Sequence, residues 1–228
     1  MKLLRHVNIA ILVSTMLSLG ACKTSHQAEQ LQLFEKTMTE LSQQNAFHVS
    51  MVNEHTIDGI TEEGVSQEIW TSSDNSAITI HLPHGTQNTL FYEGVFYVQH
   101  EENGQYEISD NNYTVPKLWA DILNTITSED ISSTTLAHTD GGKVLTVHIK
   151  SDKTQGADIS VAITYDSNEN ISSIVTTAEW EQIIDGEIRT IQSKQTTKFL
   201  SKDKTTIDRI IDNRVSNTSK EQISKNNT

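Results

Sequence analysis

Apolar residues recur along this chain with two periods, and the changes between them lay out its elements. Leu31, Phe34, Met38 and Leu41 recur at three- and four-residue steps, while Glu35, Lys36, Glu40 and Gln43 fall elsewhere. The spacing predicts a helix with one apolar face. That face must pack on something, and a β-sheet is the natural partner. After Asn45 the period drops to two. Phe47, Val49 and Met51 alternate with His48 and Ser50; Val65, Ile69 and Thr71 share one parity; Ile78, Ile80 and Leu82 alternate with Thr79 and His81. Leu90 to Tyr92 and Val95 to Val98 flank Glu93-Gly94, a tight-turn pair, and Asn103-Gly104 precedes Tyr106 and Ile108. Short strands joined by such turns predict an antiparallel meander.

Thr114 and Pro116 open a second helix, since proline is accommodated in a first turn. Its apolar face is broad: Leu118, Trp119, Ile122, Leu123 and Ile126. Beyond Ser128 to Asp130 the strands resume. Leu145, Val147 and Ile149 alternate with Thr146 and His148. Ile159, Val161, Ile163 and Tyr165 alternate with Asp158, Ser160, Ala162 and Thr164. Turns follow over 166–170 and at Asp185-Gly186, and Ile188 to Leu200 supplies the last strands. Alternation this clean predicts one buried face and one wet face. Past Thr205, Ile207, Ile210, Ile211 and Val215 are spaced for a short helix, and Ser216 to Thr228 reads as a disordered polar tail.

The N-terminus carries a different signal. Lys2 and Arg5 precede an apolar run from Ile9 to Leu19, which is shorter than the about 20 residues a spanning helix needs. The run ends in Leu19-Gly20-Ala21-Cys22, with the only cysteine of the chain. A basic start, a short apolar core and small residues before the cut read as a cleaved signal, and this ending looks like a bacterial lipobox. By that resemblance Cys22 becomes the mature N-terminus and carries acyl chains, which anchor the protein to a membrane. Two chains give stable anchoring, at about 0.8 kcal/mol per buried methylene. The predicted domains are therefore a signal over 1–21, a tether over 22–28, a folded domain over 29–200 and a polar tail over 201–228.

Composition narrows the partners. The chain has 17 Lys plus Arg against 30 Asp plus Glu. Cleavage removes Lys2 and Arg5, leaving 15 against 30. An acidic body is repelled by nucleic acid and by anionic lipid surfaces, so no nucleic-acid partner is expected. Membrane contact is expected through the acyl chains. A lone, lipidated cysteine also leaves no disulfide in the mature chain.

The element order, with hairpins such as Phe91-Tyr92-Glu93-Gly94-Val95-Phe96-Tyr97 and Ile183-Ile184-Asp185-Gly186-Glu187-Ile188, resembles the LolA-like half-barrel lipoproteins over about residues 29–200. The resemblance implies an α+β fold: a strongly curved antiparallel sheet, the half-barrel, packed against two or three helices, with acyl chains held in the gap. It implies an extracytoplasmic, lipid-anchored location. That is the cell membrane, or the outer membrane of a two-membrane cell, where Lys23 rather than aspartate follows the cysteine. Dedicated lipoprotein carriers of that group are usually soluble, so an anchored chain favours a stationary binder.

Candidate lining residues are Phe47, Met51, Ile80, Leu82, Tyr97, Ile163 and Trp180 from strands, with Trp119 and Ile122 from the second helix. Taken singly, each reads better as ordinary core, since most alternating apolar positions simply pack. Chemical motifs are thin. His81-x-x-His84 supplies two ligands where zinc takes three or four. Asp166, Asn168 and Asn170 imitate a calcium loop, but Ile171 stands where glycine is needed and Thr177 where glutamate belongs. No motif places a base beside a nucleophile, so no enzyme, metal or cofactor is expected. Two function classes remain: a binder of lipid or another apolar ligand, and an envelope interaction protein with a filled core.

Overall fold

The computed structural model describes residues 26–62, 64–99, 105–109, 126–150, 152, 154 and 156–216. Helix α1 spans 26–42. Strands follow: β1 Ala46–Ile57, β2 Ile60–Glu62, β3 Ser66–Ser72, β4 Asn75–Leu82, β5 Gly85–Tyr92, β6 Val95–Gln99 and β7 Tyr106–Ile108. A 3₁₀ turn at Ser128–Asp130 leads into β8 Ile131–Thr139, β9 Gly142–Ile149, β10 Asp158–Asp166, β11 Ile171–Ile184 and β12 Glu187–Ser201. Helix α2, Lys204–Ser216, follows. Cys22, Trp119, Ile122, the expected helix up to residue 125 and the Asn103-Gly104 turn lie outside the described residues; Ile126, expected on the same helix, is described as non-helical and packs against the cluster under α1.

The strands form one antiparallel, unclosed, curved sheet of the α+β half-barrel class, in the order β7-β6-β5-β4-β3-β1-β12-β11-β10-β9-β8, with β2 paired to β1. It is two meanders joined where β1 meets β12. Tight turns of the I′ kind set the hairpins. Asp58-Gly59, Glu93-Gly94 and Asp185-Gly186 all carry positive φ at both residues, the backbone whose twist matches the flanking strands.

The two helices among the described residues lie on opposite faces of this sheet. On the face we term A, α1 buries Phe34 and Leu41 against Leu145, Val147, Val161, Ile163 and Ile174. Thr37 is buried there too, within reach of the Tyr165 hydroxyl at 2.6 Å. On face B, α2 buries Ile207 and Ile211 against Ala46, Trp70, Ala77, Leu90, Tyr97 and Tyr106. Arg214, in the last turn of α2, donates to the Ile78 carbonyl at 3.1 Å and to Thr79 Oγ1 at 2.7 Å, and sits 4.8 Å over the Trp70 ring. The folded unit thus runs through Ser216, beyond the boundary at 200 drawn from the sequence. The apolar side chains of α2 are what close face B.

The expectation of one wet face holds on β8 to β12 and fails on β3 to β5. Ile69, Trp70, Thr71 and Ser72 are consecutive and all buried, as are Ser76 to Thr79. Those strands bury side chains on both faces.

Candidate functional site

The candidate lining residues divide among three places. Phe47, Val49, Met51, Ile69 and Ile78 make one buried apolar cluster with Ile80 packed against it. They share face A through the register pairs Val49↔Ile69 and Ile69↔Ile78. Phe199 of β12 packs against both this cluster and the one under α1. Face A therefore carries a continuous apolar band from β9 to β4. Leu82 ends the same parity on β4 and is 45% exposed, so it forms the rim. Ile163 lies on face A but is sealed beneath α1.

Two placements differ from expectation. Tyr97 pairs with Leu90, which pairs with Ala77, which pairs with Trp70. This row is on face B, under α2, so Tyr97 cannot share a pocket with Phe47. The run from Val95 to Val98 has no alternation, and parity could not be read from it. Trp180 pairs with Ile191 at the far end of the sheet. It borders an open hollow of about 680 Å³ lined with Glu179, Glu181 and Asp158, away from the other candidates.

Sequence reasoning passed over two polar positions on face A. Thr71 and Ser76 face one another across β3 and β4, and Thr71 also faces Phe47. Both are buried, and neither side-chain hydroxyl finds a hydrogen-bond partner among the described residues. Most buried hydroxyls are paired, because an orphan costs about 1–3 kcal/mol. The signal was their parity with Phe47 and Ile78. The neighbouring face A positions on β3, β4 and β5 are Gln67, Ile69, Ile78, Ile80, Gln87, Thr89 and Phe91. None is ionisable. Further along, Gln195 Nε2 donates to Asn53 Oδ1 at 3.0 Å beside Met51. This stretch can hold apolar matter and donate hydrogen bonds from neutral hydroxyls.

The titratable groups lie elsewhere. His48, on face B, stacks on Trp70 at 4.6 Å and 16°. It is half-buried, where exposure was expected from the sequence. Burial pulls its pKa below the usual histidine value, and Glu68 partly opposes this. Burial raises the Tyr97 and Tyr106 phenols, with Arg214 opposing at Tyr106. His81 and His84 are both exposed at the β4–β5 turn. Among the described residues no three His, Cys, Asp or Glu side chains converge as a metal site would require. Asp166 accepts from the backbone N–H groups of Asn170 and Asn168 at 2.9 and 2.8 Å, which lowers its pKa and makes the 166–170 stretch a closed turn. Among the described residues no helix is long and apolar enough to cross a membrane.

No protein-family model matches the chain, and no curated protein matches it. Among solved structures it is similar to a LolA superfamily protein from Nitrosomonas europaea, at 14% identity over 70% of this chain and 86% of that one, with a TM-score of 0.28. It is also similar to a DUF1329 family protein from Desulfovibrio piger, at 12% identity over 77% and 91%, with a TM-score of 0.24. A third similarity is to the structure of a MucA/MucB complex from Pseudomonas aeruginosa, at 11% identity over 80% and 96%, with a TM-score of 0.18.

Proposed function

We propose that this protein is a non-enzymatic cell-envelope lipoprotein, anchored through Cys22, that holds a neutral lipid or other apolar ligand on face A of its half-barrel. The observation that carries the reading is the pair of partnerless buried hydroxyls, Thr71 and Ser76, set into the apolar band of Phe47, Val49, Ile69 and Ile78. An apolar surface with a few convergent polar groups is the usual character of a ligand site. With no ionisable side chain on face A of β3 to β5, the ligand atom that meets these hydroxyls is an uncharged acceptor, such as an ester or amide carbonyl.

Mass spectrometry tests this on full-length chain purified without detergent. The denatured mass reports covalent lipid, and any excess in the native mass reports bound ligand. The expected result is a native excess of lipid size. Ile80→Asp should weaken binding of a fluorescent neutral acyl ester about tenfold or more with the circular dichroism unchanged. A native mass equal to the denatured mass under all conditions sinks the ligand reading. The anchor has its own test: Cys22→Ser should move the protein from the membrane to the soluble fraction, and unchanged fractionation sinks that part.

The second reading, an interaction protein with a filled core, draws on the dense packing beneath α1. Leu145, Val147, Val161 and Ile163 are all wholly buried there.

A further inference from the structure

The far end of the sheet carries a second surface that the face A ligand does not use. Strands β11 and β12 are the longest, at 14 and 15 residues. Their hairpin tip stands beside the β1–β2 tip. The two are laced together. Arg189 donates to Asp58 at 3.0 Å and to Glu187 at 2.9 Å. The Thr190 N–H donates to the Asp58 carboxylate at 3.2 Å, and the Asp58 N–H donates to the Thr190 carbonyl at 3.1 Å. On this braced tip Ile183 and Ile188 sit opposite one another, each 71% exposed. Ile60, on the neighbouring tip, is 74% exposed but pairs with Ile57 and so lies on the opposite face of the sheet from Ile183 and Ile188. These three are the most exposed large hydrophobic residues among those described. The Ile183–Ile188 pair, exposed side by side on a braced projection, marks a contact surface.

The same parity that presents Ile183 presents Glu181 and Glu179, and Glu179 pairs with Asp158. Together with Thr154, Gly156 and Ala157, these carboxylates line the open hollow of about 680 Å³. Two exposed isoleucines therefore adjoin an acidic hollow. The four-residue step from Glu179 to Ile183 spans about 13 Å of strand.

We infer that the Ile183–Ile188 tip and the adjoining Asp158–Glu179–Glu181 hollow form a docking surface for a basic, apolar segment of a partner protein. The segment bears Lys or Arg about 13 Å from its apolar anchors, which is about four extended residues. Charge complementarity selects this occupant. An anionic lipid surface is repelled by the three carboxylates, and so is a second copy of a chain with net charge −13.

The test uses the full chain and a fluorescein-labelled peptide carrying two lysines and, four positions on, two leucines. A control peptide has glutamate in place of lysine. By fluorescence anisotropy, the basic peptide should bind and the acidic one should not. Ile183→Ser with Ile188→Ser should weaken binding about tenfold, as should Glu179→Gln with Glu181→Gln. The charge-matched control, Glu35→Gln with Glu40→Gln on α1, should stay within about twofold. If the tip variants bind like the parent, or the α1 control falls equally, the surface is not the docking site. If sedimentation shows a dimer that the isoleucine variant dissolves, the occupant is a second copy. If the tip binds phosphatidylcholine vesicles and not the peptide, the occupant is lipid. Each of these outcomes overturns the proposal. None bears on the face A ligand, which lies on the opposite side of the sheet.

Discussion

His48 shows how one side chain on the nominally polar parity of a strand becomes part of the core. Its ring lies flat on Trp70, and its Nε2 has no partner among the described residues. Burial lowers its pKa from 6.5, Glu68 opposes, and the Arg214 guanidinium lies over the same Trp70 ring. The unfolded chain therefore takes up this proton more readily than the folded one. Stability is full above the unfolded pKa and is lost as pH falls through it toward the lower folded value. Melting curves at about pH 7.5 and about pH 5 should show the parent losing more than His48→Gln, and parallel losses would refute this. Thr37 and Tyr165 make a second case. The single Thr37 proton goes to the Leu33 carbonyl at 2.8 Å, so the Tyr165 hydroxyl donates to Thr37. Tyr165→Phe removes one hydrogen bond and leaves Thr37 its other partner. It should cost about 1 kcal/mol by urea denaturation, and no loss would show that bond to be unimportant.

At the scale of elements, α2 decides how β3 to β5 read in the sequence. Strands such as β10 meet the core on one face, and their alternation was plain. Trp70, Ala77 and Leu90 occupy the other parity of strands that already bury Ile69 and Ile78. The result is an unbroken buried run on β3 and β4, and on β6 the stretch from Val95 to Val98 is apolar throughout, with no parity to read. For this reason the sequence does not reveal that Tyr97 lies on face B. Strand β8 carries no legible alternation, because it is an edge strand whose Ser132 and Ser133 are exposed. The Asp58-Gly59 hairpin was missed although its turn pair was present. Truncation separates α2 from the tail after it. Stopping the chain after Ser216 should leave the melting temperature nearly unchanged. Stopping it after Asp203 removes Ile207 and Ile211, at about 1.5–3 kcal/mol each. It also uncovers Trp70, Leu90 and Tyr97. That loss rivals a total stability of about 5–15 kcal/mol, so the shorter chain should be aggregated or unfolded. A well-folded product would show that α2 is an accessory.

Across the whole molecule, the ends of the chain cover each other's halves. The N-terminal helix α1 packs on β9 to β11, which come late in the sequence, and the C-terminal helix α2 packs on β3 to β6, which come early. Strands β1 and β12 meet in the middle of the sheet along ten paired positions. Neither meander therefore has its own helix until the other half has formed, and Phe199 joins the apolar clusters across the seam. Such a topology puts the contacts that close each half, α1 on β9 to β11, α2 on β3 to β6 and β1 on β12, at long sequence separation, which slows folding and couples the halves. Equilibrium unfolding in urea should therefore be one transition. Trp70 sits under α2 in the early half and Trp180 lies in the late half. On a Trp119→Phe background, fluorescence of Trp180→Phe, which retains Trp70, should trace the same midpoint as fluorescence of Trp70→Phe, which retains Trp180, once each is compared with far-ultraviolet circular dichroism of its own variant. A fluorescence midpoint displaced from the dichroism midpoint in either variant would mean the halves unfold separately. The crossed helices would then be decoration on two independent sheets.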